Sequence, residues 1–373
     1  MRKKAVIIIN NFAVGGVERL FLNILPQLDR DKVEPYLVTV WGSGPLEKEY
    51  LALGIPIYFA GGRFKFNKKN PLLKLCFTII APLTLLRLLA TLRRIKPDTV
   101  LTCLNQADIL GIWAAWLAGV PKRIVRQADV EEPRPLVGFL KKRLAFGHAT
   151  GVVANSANTK TFVQRRFSVP GDKIEVIPNG IDLKSFAKGA VRSDEGELVL
   201  GVVGRLEPVK GVEYLLRALS ILKNEFGLIP PVIIVGAGSL MESLMEYAKR
   251  VGLARVKFLG EQIDVTGALE QMDVLVVPSL HEGFGMVVLE GLAAGKLVVA
   301  SALPAIRDLI TDGENGLLFP IGDSKALAMI LRGVLTDPKL FHRVSNGAQR
   351  WLACSGQEFD IKNVSRRYES LLL

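Results

Sequence analysis

Val274 to Ser301 reads VLVVPSLHEGFGMVVLEGLAAGKLVVAS. The apolar run Val274 to Val277 is closed by Pro278 and Ser279, because proline cannot donate to a central ladder. Gly283 and Gly285 then permit a tight turn and a close backbone approach. A helix starting near Gly285 ends at Ala293 to Gly295, the glycine closing it, and a second β-branched run follows from Leu297 to Val299. The order strand, glycine loop, helix, strand is a parallel βαβ unit. It carries two carboxylates, Glu282 in the loop and Glu290 about one and a half turns into the helix. Backbone amides at the helix start suit an anion, and a carboxylate accepts hydrogen bonds from hydroxyls. Together these fit a nucleotide sugar; as two isolated glutamates they fit a solvated surface better.

The wording around them is more specific. Pro278 to Ser301 resembles the glutamate, seven residues, glutamate signature of retaining glycosyltransferases, in particular glycosyltransferase family 4. That resemblance implies an α/β chain of GT-B fold, two Rossmann-like doubly wound parallel-sheet domains facing across a cleft. Other stretches carry it too. Gly15, Gly16, Val17 and Glu18 match a Gly-Gly-x-Glu loop that many members place over the donor diphosphate. Pro178-Asn179-Gly180-Ile181-Asp182 looks like the run that ends the first domain in the family. Gly204-Arg205-Leu206, followed by Lys210-Gly211, matches its Gly-Arg-Leu-x-x-x-Lys-Gly pattern. Two fixed cations beside a helix start are suited to a diphosphate leaving group.

The resemblance assigns a catalytic set of Glu282, Arg205 and Lys210. Arg205 and Lys210 would hold the diphosphate, Glu290 the ribose hydroxyls and Glu282 the donor sugar. The amides of Gly283, Phe284, Gly285 and Met286 would assist, and Gly15 and Gly16 would approach the donor from the first domain. Retention of anomeric configuration, with no metal and no cofactor, is implied as well. Two departures stand out. Where relatives carry Gly-Gly and then Pro-Glu, this chain has Pro304-Ala305-Ile306-Arg307-Asp308. The first half also lacks the histidine that many relatives hold near the donor sugar, leaving Asn105, Gln127 and Asp129 as candidates for contact with sugar or acceptor.

A length of 373 residues suits two domains. By resemblance these are an acceptor-binding domain at 1–187, with a C-terminal helix at about 358–373 packing back on it, and a nucleotide-sugar-binding domain at 196–357. Three cysteines without metal spacing point to a reducing, cytoplasmic setting and against a disulfide framework. The short apolar run after Met1-Arg2-Lys3-Lys4 reads as a first strand and not a signal peptide. The net charge of +12 divides unevenly. Residues 1–187 hold 28 Lys and Arg against 14 Asp and Glu, and residues 188–373 hold 20 against 22. A polyanionic partner for the first half follows.

The most unusual segment is 61–96. It has no acid between Glu49 and Asp98, and nine cations. Arg63, Phe64, Lys65, Phe66, Lys68 and Lys69 interleave aromatics with charge, and a long apolar stretch broken by Lys74, Pro82 and Arg87 follows. A spanning helix needs roughly 20 apolar residues, so the alternatives are an interfacial segment on anionic headgroups and a domain helix with a solvated basic face. Lys141, Lys142 and Arg143 add to the cationic surface. A lipid-linked saccharide acceptor at the cytoplasmic membrane face satisfies both the charge and the apolar stretch, and places the enzyme in cell-surface polysaccharide or lipopolysaccharide synthesis with a nucleotide-sugar donor such as a UDP-sugar.

Three rivals are weaker. Gly236-Ala237-Gly238-Ser239 after a strand suggests a dinucleotide site, but the third glycine of that fingerprint falls on Met241. A nucleotide-sugar epimerase of the same fold would need no acceptor. A nucleic-acid-binding protein would use the basic half, yet no recognised motif supports it.

Overall fold

The computed structural model describes residues 2–63, 71–130, 136–186, 196–262 and 265–373, with the backbone alone at 71–79 and 136–137. The chain divides into two compact units, Met1–Ile181 with Phe359–Leu373, and Asp182–Glu358. In chain order the first holds β1 (Lys3–Ile9), α1 (Gly16–Ile24), β2 (Val33–Thr39), α2 (Glu47–Ala52), β3 (Ile57–Phe59), α3 (Pro71–Ile95), β4 (Thr99–Cys103), α4 (Asn105–Leu117), β5 (Lys122–Gln127), α5 (Leu136–His148), β6 (Gly151–Ala154), α6 (Ala157–Phe167) and β7 (Ile174–Val176). The second holds α7 (Leu183–Phe186), β8 (Leu200–Val203), α8 (Val212–Phe226), β9 (Val232–Val235), α9 (Met241–Arg250), β10 (Val256–Gly260), α10 (Thr266–Glu270), β11 (Val274–Val277), α11 (Met286–Ala293), β12 (Leu297–Ser301), α12 (Pro304–Arg307), β13 (Leu317–Phe319), α13 (Ser324–Thr336) and α14 (Pro338–Ser355). A last helix, α15 (Ile361–Leu372), belongs to the first unit.

Both sheets are parallel and doubly wound, as the alternation of strands and helices predicts. Their orders are β3-β2-β1-β4-β5-β6-β7 and β10-β9-β8-β11-β12-β13. Strands covered on both faces have to be apolar throughout, which is why Ala5 to Ile9 and Val274 to Val276 show no exposed surface. In the first unit the odd-numbered β1 residues Ile7 and Ile9 pack with Leu20, Phe21 and Tyr50 of α1 and α2. Val6 and Ile8 face the other way, toward Leu88 and Leu92 of α3 and Ala114 of α4, and that layer continues through Phe146 of α5 and Val163 of α6.

The return of α15 is specified chemically. Ile361, Val364, Tyr368 and Leu372 enter the core beside α1. Ile181 N–H donates to the Phe359 carbonyl and Ile361 N–H to the Ile181 carbonyl, both at 2.9 Å. The buried Arg126 guanidinium donates through Nε to the Tyr368 hydroxyl at 2.6 Å and through another nitrogen to Oδ1 of Asn179. A Cβ on Gly180 would lie 3.0 Å from Val364, so the Asn-Gly pair serves this docking as well as the turn.

Three features differ from the sequence reading. Helix α14, eighteen residues with Asp337 capping Lys339 and Leu340 N–H, falls where no helix is expected. The apolar spacing in the sequence predicts a helix over Asp108 to Leu117, whereas α4 begins at Asn105, because Asn10 Oδ1 accepts from the Ala107 N–H at 2.9 Å and caps its first turn. Lys142 does not belong to the cationic surface. It is buried at 3% exposure with Nζ 3.5 Å from Oδ2 of Asp108, itself 1% exposed, because the α4–α5 contact closes over both side chains. Within segment 61–96, α3 runs as one helix through Pro82. Arg63 pairs with Glu47 and lies 5.5 Å from the Phe59 ring, whereas Phe64, Lys65, Phe66, Lys68 and Lys69 lie outside the described residues. Among the described residues no helix is long and apolar enough to cross a membrane.

Candidate functional site

In an open parallel sheet the strand order reverses at one point, and the loops leaving the two central strands there part to opposite faces, opening a crevice at their C-terminal ends. The second sheet reverses between β8 and β11, and the first between β1 and β4. The reversal in the second unit gathers most of the residues singled out in the sequence. The β8 loop carries Arg205 and Lys210; the β11 loop carries Glu282, Gly283 and the start of α11.

Backbone contacts lock these loops together. Leu206 N–H donates to Ala237 carbonyl, Leu240 N–H to Leu206 carbonyl, both at 2.9 Å, and Leu280 N–H to Val209 carbonyl at 2.8 Å. Side chains would not fit. A Cβ on Gly238 would sit 2.4 Å from the Leu206 carbonyl oxygen, and one on Gly211, at φ 62, would sit 2.0 Å from that of Pro278. The Gly236-Ala237-Gly238-Ser239 run is thus explained by backbone packing against the β8 loop, and Ser239 bonds Glu207 through both its N–H and its hydroxyl.

Lys210 and Glu282, 72 positions apart, meet here. Lys210 Nζ donates to Glu282 Oε1 at 2.7 Å, and the Ser279 hydroxyl donates to the same oxygen at 2.7 Å. Both side chains are largely covered, at 22% and 11% exposure. Arg205 is exposed on the same loop as Lys210. Gly285, at φ 92, caps α11, whose first turn includes Met286, and Glu290 follows half-buried one turn further on. Phe284 is buried and holds the loop down while Gly283 stays partly open. The sequence reading gave no role to His281, whose buried Nε2 has no hydrogen-bond partner among the described residues, or to Ser279. Only the fold reveals them, since neither residue type in a loop is a signal by itself.

The first unit's reversal collects a separate set. Gly15 caps α1, and the Glu18 side chain folds back so that a Cβ on Gly15 would lie 2.4 Å from its Oε2. Gly16 is the first residue of that helix. Beside it, Leu104 holds a positive φ of 79, outside the usual range for a leucine, and leads into Asn105, whose buried Oδ1 has no hydrogen-bond partner among the described residues. After β5, Gln127 Nε2 donates to Asp129 at both the carbonyl, 2.8 Å, and the carboxylate, 2.9 Å, while its own Oε1 is buried without a partner among the described residues. Asn155 Nδ2 ties the same turn through Ala128 carbonyl. Burial pushes the Asp108 carboxyl up to about 6, opposed by the Lys142 ammonium and the Thr102 hydroxyl, which donates at 3.0 Å. Orphaned polar atoms in a strained turn are what a polar ligand can satisfy. Among the described residues no group of three or more His, Cys, Asp or Glu is placed to hold a metal ion.

Known proteins place this arrangement. Residues 14–185 match the family described as Glycosyltransferase Family 4, and residues 184–351 match Glycosyl transferases group 1. The chain is 30% identical over 357 residues, covering 90% of it and 88% of the relative, to an Escherichia coli UDP-Gal:alpha-D-GlcNAc-diphosphoundecaprenol alpha-1,3-galactosyltransferase. It is 39% identical over 175 residues, 45% of this chain, to a Mycolicibacterium smegmatis phosphatidyl-myo-inositol mannosyltransferase, and 29% identical over 61% of this chain to a Streptomyces avermitilis D-inositol 3-phosphate glycosyltransferase. The chain spans about half the length of these two, 44% and 53% respectively. HepE of Anabaena, solved with UDP, superposes with a TM-score of 0.80 at 23% identity, covering 99% of each chain. With both halves matched by family and the whole length by fold, the chain belongs to glycosyltransferase family 4 and has the GT-B fold.

Proposed function

We propose that this protein transfers a sugar from a nucleotide-sugar donor, of the UDP-sugar class, to a lipid-linked glycan acceptor, with retention of configuration and without a metal ion. The observation that carries the reading is the Lys210–Glu282 pair at the strand reversal of the second unit. A donor diphosphate offers Lys210 a stronger partner than one carboxylate oxygen. As the ammonium turns to phosphate, Glu282 is released to accept a sugar hydroxyl, so one exchange both neutralises the leaving group and orients the sugar. Arg205 adds the second positive charge, the first amides of α11 add partial charge, and Glu290 accepts from the ribose. The bond from the anomeric carbon to the phosphate oxygen breaks while the acceptor oxygen bonds to the same face, and its proton passes to the leaving phosphate. Asn105, Gln127 and Asp129 of the first unit, with Gly15 and Gly16, are the candidates for contact with sugar and acceptor.

The donor class is supported by the UDP complex of HepE and by the UDP-galactose of the Escherichia coli relative, whose acceptor carries a diphosphoundecaprenol. That relative and the basic first unit support work at the cytoplasmic membrane face, in polysaccharide or lipopolysaccharide assembly. A thermal-shift panel of nucleotide sugars tests the reading, since a ligand of the native state raises apparent stability by RT ln(1 + [L]/Kd). UDP-sugars should shift the midpoint, Lys210→Met should lose most of the shift, and Glu290→Ala should lose it for UDP itself. A full shift retained by Glu290→Ala sinks the ribose assignment. Donor consumption at equal rate with and without acceptor would instead point to epimerisation or hydrolysis.

A further inference from the structure

Four helices, α3 to α6, cover one face of the first sheet, and their charges are one-sided. Across all four the sequence holds ten Lys and Arg and a single acid, Asp108, which is buried against Lys142. The solvent side of this layer therefore presents no carboxylate from any of these helices. The opposite face of the sheet differs, with Glu47 and Glu369 engaged in ion pairs.

The same layer leaves large apolar side chains in water. Leu86 of α3 and Leu144 of α5 are 61% and 55% exposed, and Leu140, one turn before Leu144, is 48% exposed. At the C-terminal ends of α4 and α5, Trp113 and Trp116 flank His148, with ring centroids 4.6 and 4.5 Å from it, and Trp116 is itself 43% exposed. Arg87 follows Leu86, and Lys141 and Arg143 sit between Leu140 and Leu144, all exposed.

We infer that the α3–α5 face is a docking surface for an anionic lipid bilayer, with the leucines and Trp116 entering the acyl boundary and the cations resting on headgroup phosphates. The inference rests on the reading above only in that a lipid-linked acceptor brings the enzyme to a membrane. Charge complementarity selects this occupant. A second copy of the same face would set like charges against each other, and a nucleic acid would match the cations but leave the leucines in water. Apolar anchors ringed by cations are the combination that an interface with both an acyl boundary and anionic headgroups rewards. The buried Asp108–Lys142 pair fits this too, since it fixes α5 to α4 without showing a negative charge to the bilayer.

The test is flotation of the full chain with phosphatidylcholine vesicles containing phosphatidylglycerol, and with vesicles of phosphatidylcholine alone. Binding should require phosphatidylglycerol and weaken with salt. Leu140→Glu combined with Leu144→Glu, and Leu86→Glu alone, should each lower the partition about tenfold or more, the worth of burying a leucine. Leu51→Glu, at an equally exposed leucine on α2, should leave it unchanged. A UDP-glucose thermal shift equal to that of the parent shows that each variant is folded and its donor site intact. Loss of that shift in the parent would sink the donor reading while leaving the vesicle result standing. No binding to phosphatidylglycerol vesicles, or undiminished binding by the folded leucine variants, overturns the docking surface. So does a dimer in light scattering that the leucine variants dissolve.

Discussion

Asp108 and Lys142 illustrate how much a single pair can weigh. Two charges taken out of water recover the cost only through each other, so removing one partner costs about 3–5 kcal/mol while replacing both with apolar residues is near neutral. Lys142→Met alone should therefore destabilise strongly by urea denaturation, and Asp108→Leu with Lys142→Met should restore most of the loss. The carboxyl also has a pH signature. Its value, pushed up from 3.8 to about 6 by burial, means that the folded chain holds this proton longer than the unfolded one. Its contribution to stability is thus fully present below about pH 4 and is lost as pH rises through about 6. The slope of stability against pH in that window should flatten in Asp108→Asn; an unchanged slope would assign it to other groups. None of this is legible in the sequence, where Lys142 stands between two surface cations and only the burial of Phe139, Ala145 and Phe146, at i−3, i+3 and i+4 from it, decides which way it points. Lys210 and Glu282 present the complementary case. Each is readable from its motif, but their mutual bond is not, because nothing in either stretch states how the β8 and β11 loops interlock.

Glycines of the second unit divide by what stands above them, and this makes each position's requirement testable. Gly238→Ala drives a Cβ into the Leu206 carbonyl oxygen, a backbone atom that can move only with the β8 loop. It should cost about 1–3 kcal/mol and weaken the UDP-sugar shift by displacing Arg205. Gly291→Ala meets the Leu275 side chain at 2.4 Å, on a buried strand, and should destabilise with little effect on ligand binding per folded molecule. Gly267, in α10, has nothing within 4 Å among the described residues, so Gly267→Ala should be neutral or stabilise by up to about 1 kcal/mol. Thermal midpoints with and without UDP-glucose would check all three. Strands and amphipathic helices were readable because each is a continuous apolar run or a regular stripe. Helix α14 was not. Its centre, Ser345-Asn346-Gly347, is poor in helix formers, and Gly347 is there because a Cβ would fall 1.8 Å from the Glu314 carbonyl oxygen, a constraint set by a turn 33 residues earlier.

Across the whole chain, the first unit draws its core from both ends of the sequence. Ile361, Val364, Tyr368 and Leu372 are each under 5% exposed. At about 1.5–3 kcal/mol for each large apolar side chain buried, losing them removes an amount comparable to the roughly 5–15 kcal/mol that holds a domain together. A chain ending at Glu358 should therefore lose the cooperative transition of the first unit, while that of Asp182–Glu358 persists in calorimetry. A single intact transition at the parent midpoint would show that α15 is dispensable. The helical spacing of this segment is legible in the sequence, and its return is what the family resemblance implies; that Arg126 bonds Tyr368 and Asn179 is legible in neither, since three distant positions meet only in the folded sheet.

The return of α15 also sets an order of events during synthesis. Asp182–Glu358 is continuous and can close its core as soon as it emerges from the ribosome, at about 5–20 residues per second. The first sheet, although made earlier, keeps the groove beside α1 open until α15 has followed. For roughly ten to forty seconds at that pace, Phe21 and Arg126 face that groove without Tyr368. Over that interval the older half of the nascent protein is the one that shows uncovered core surface.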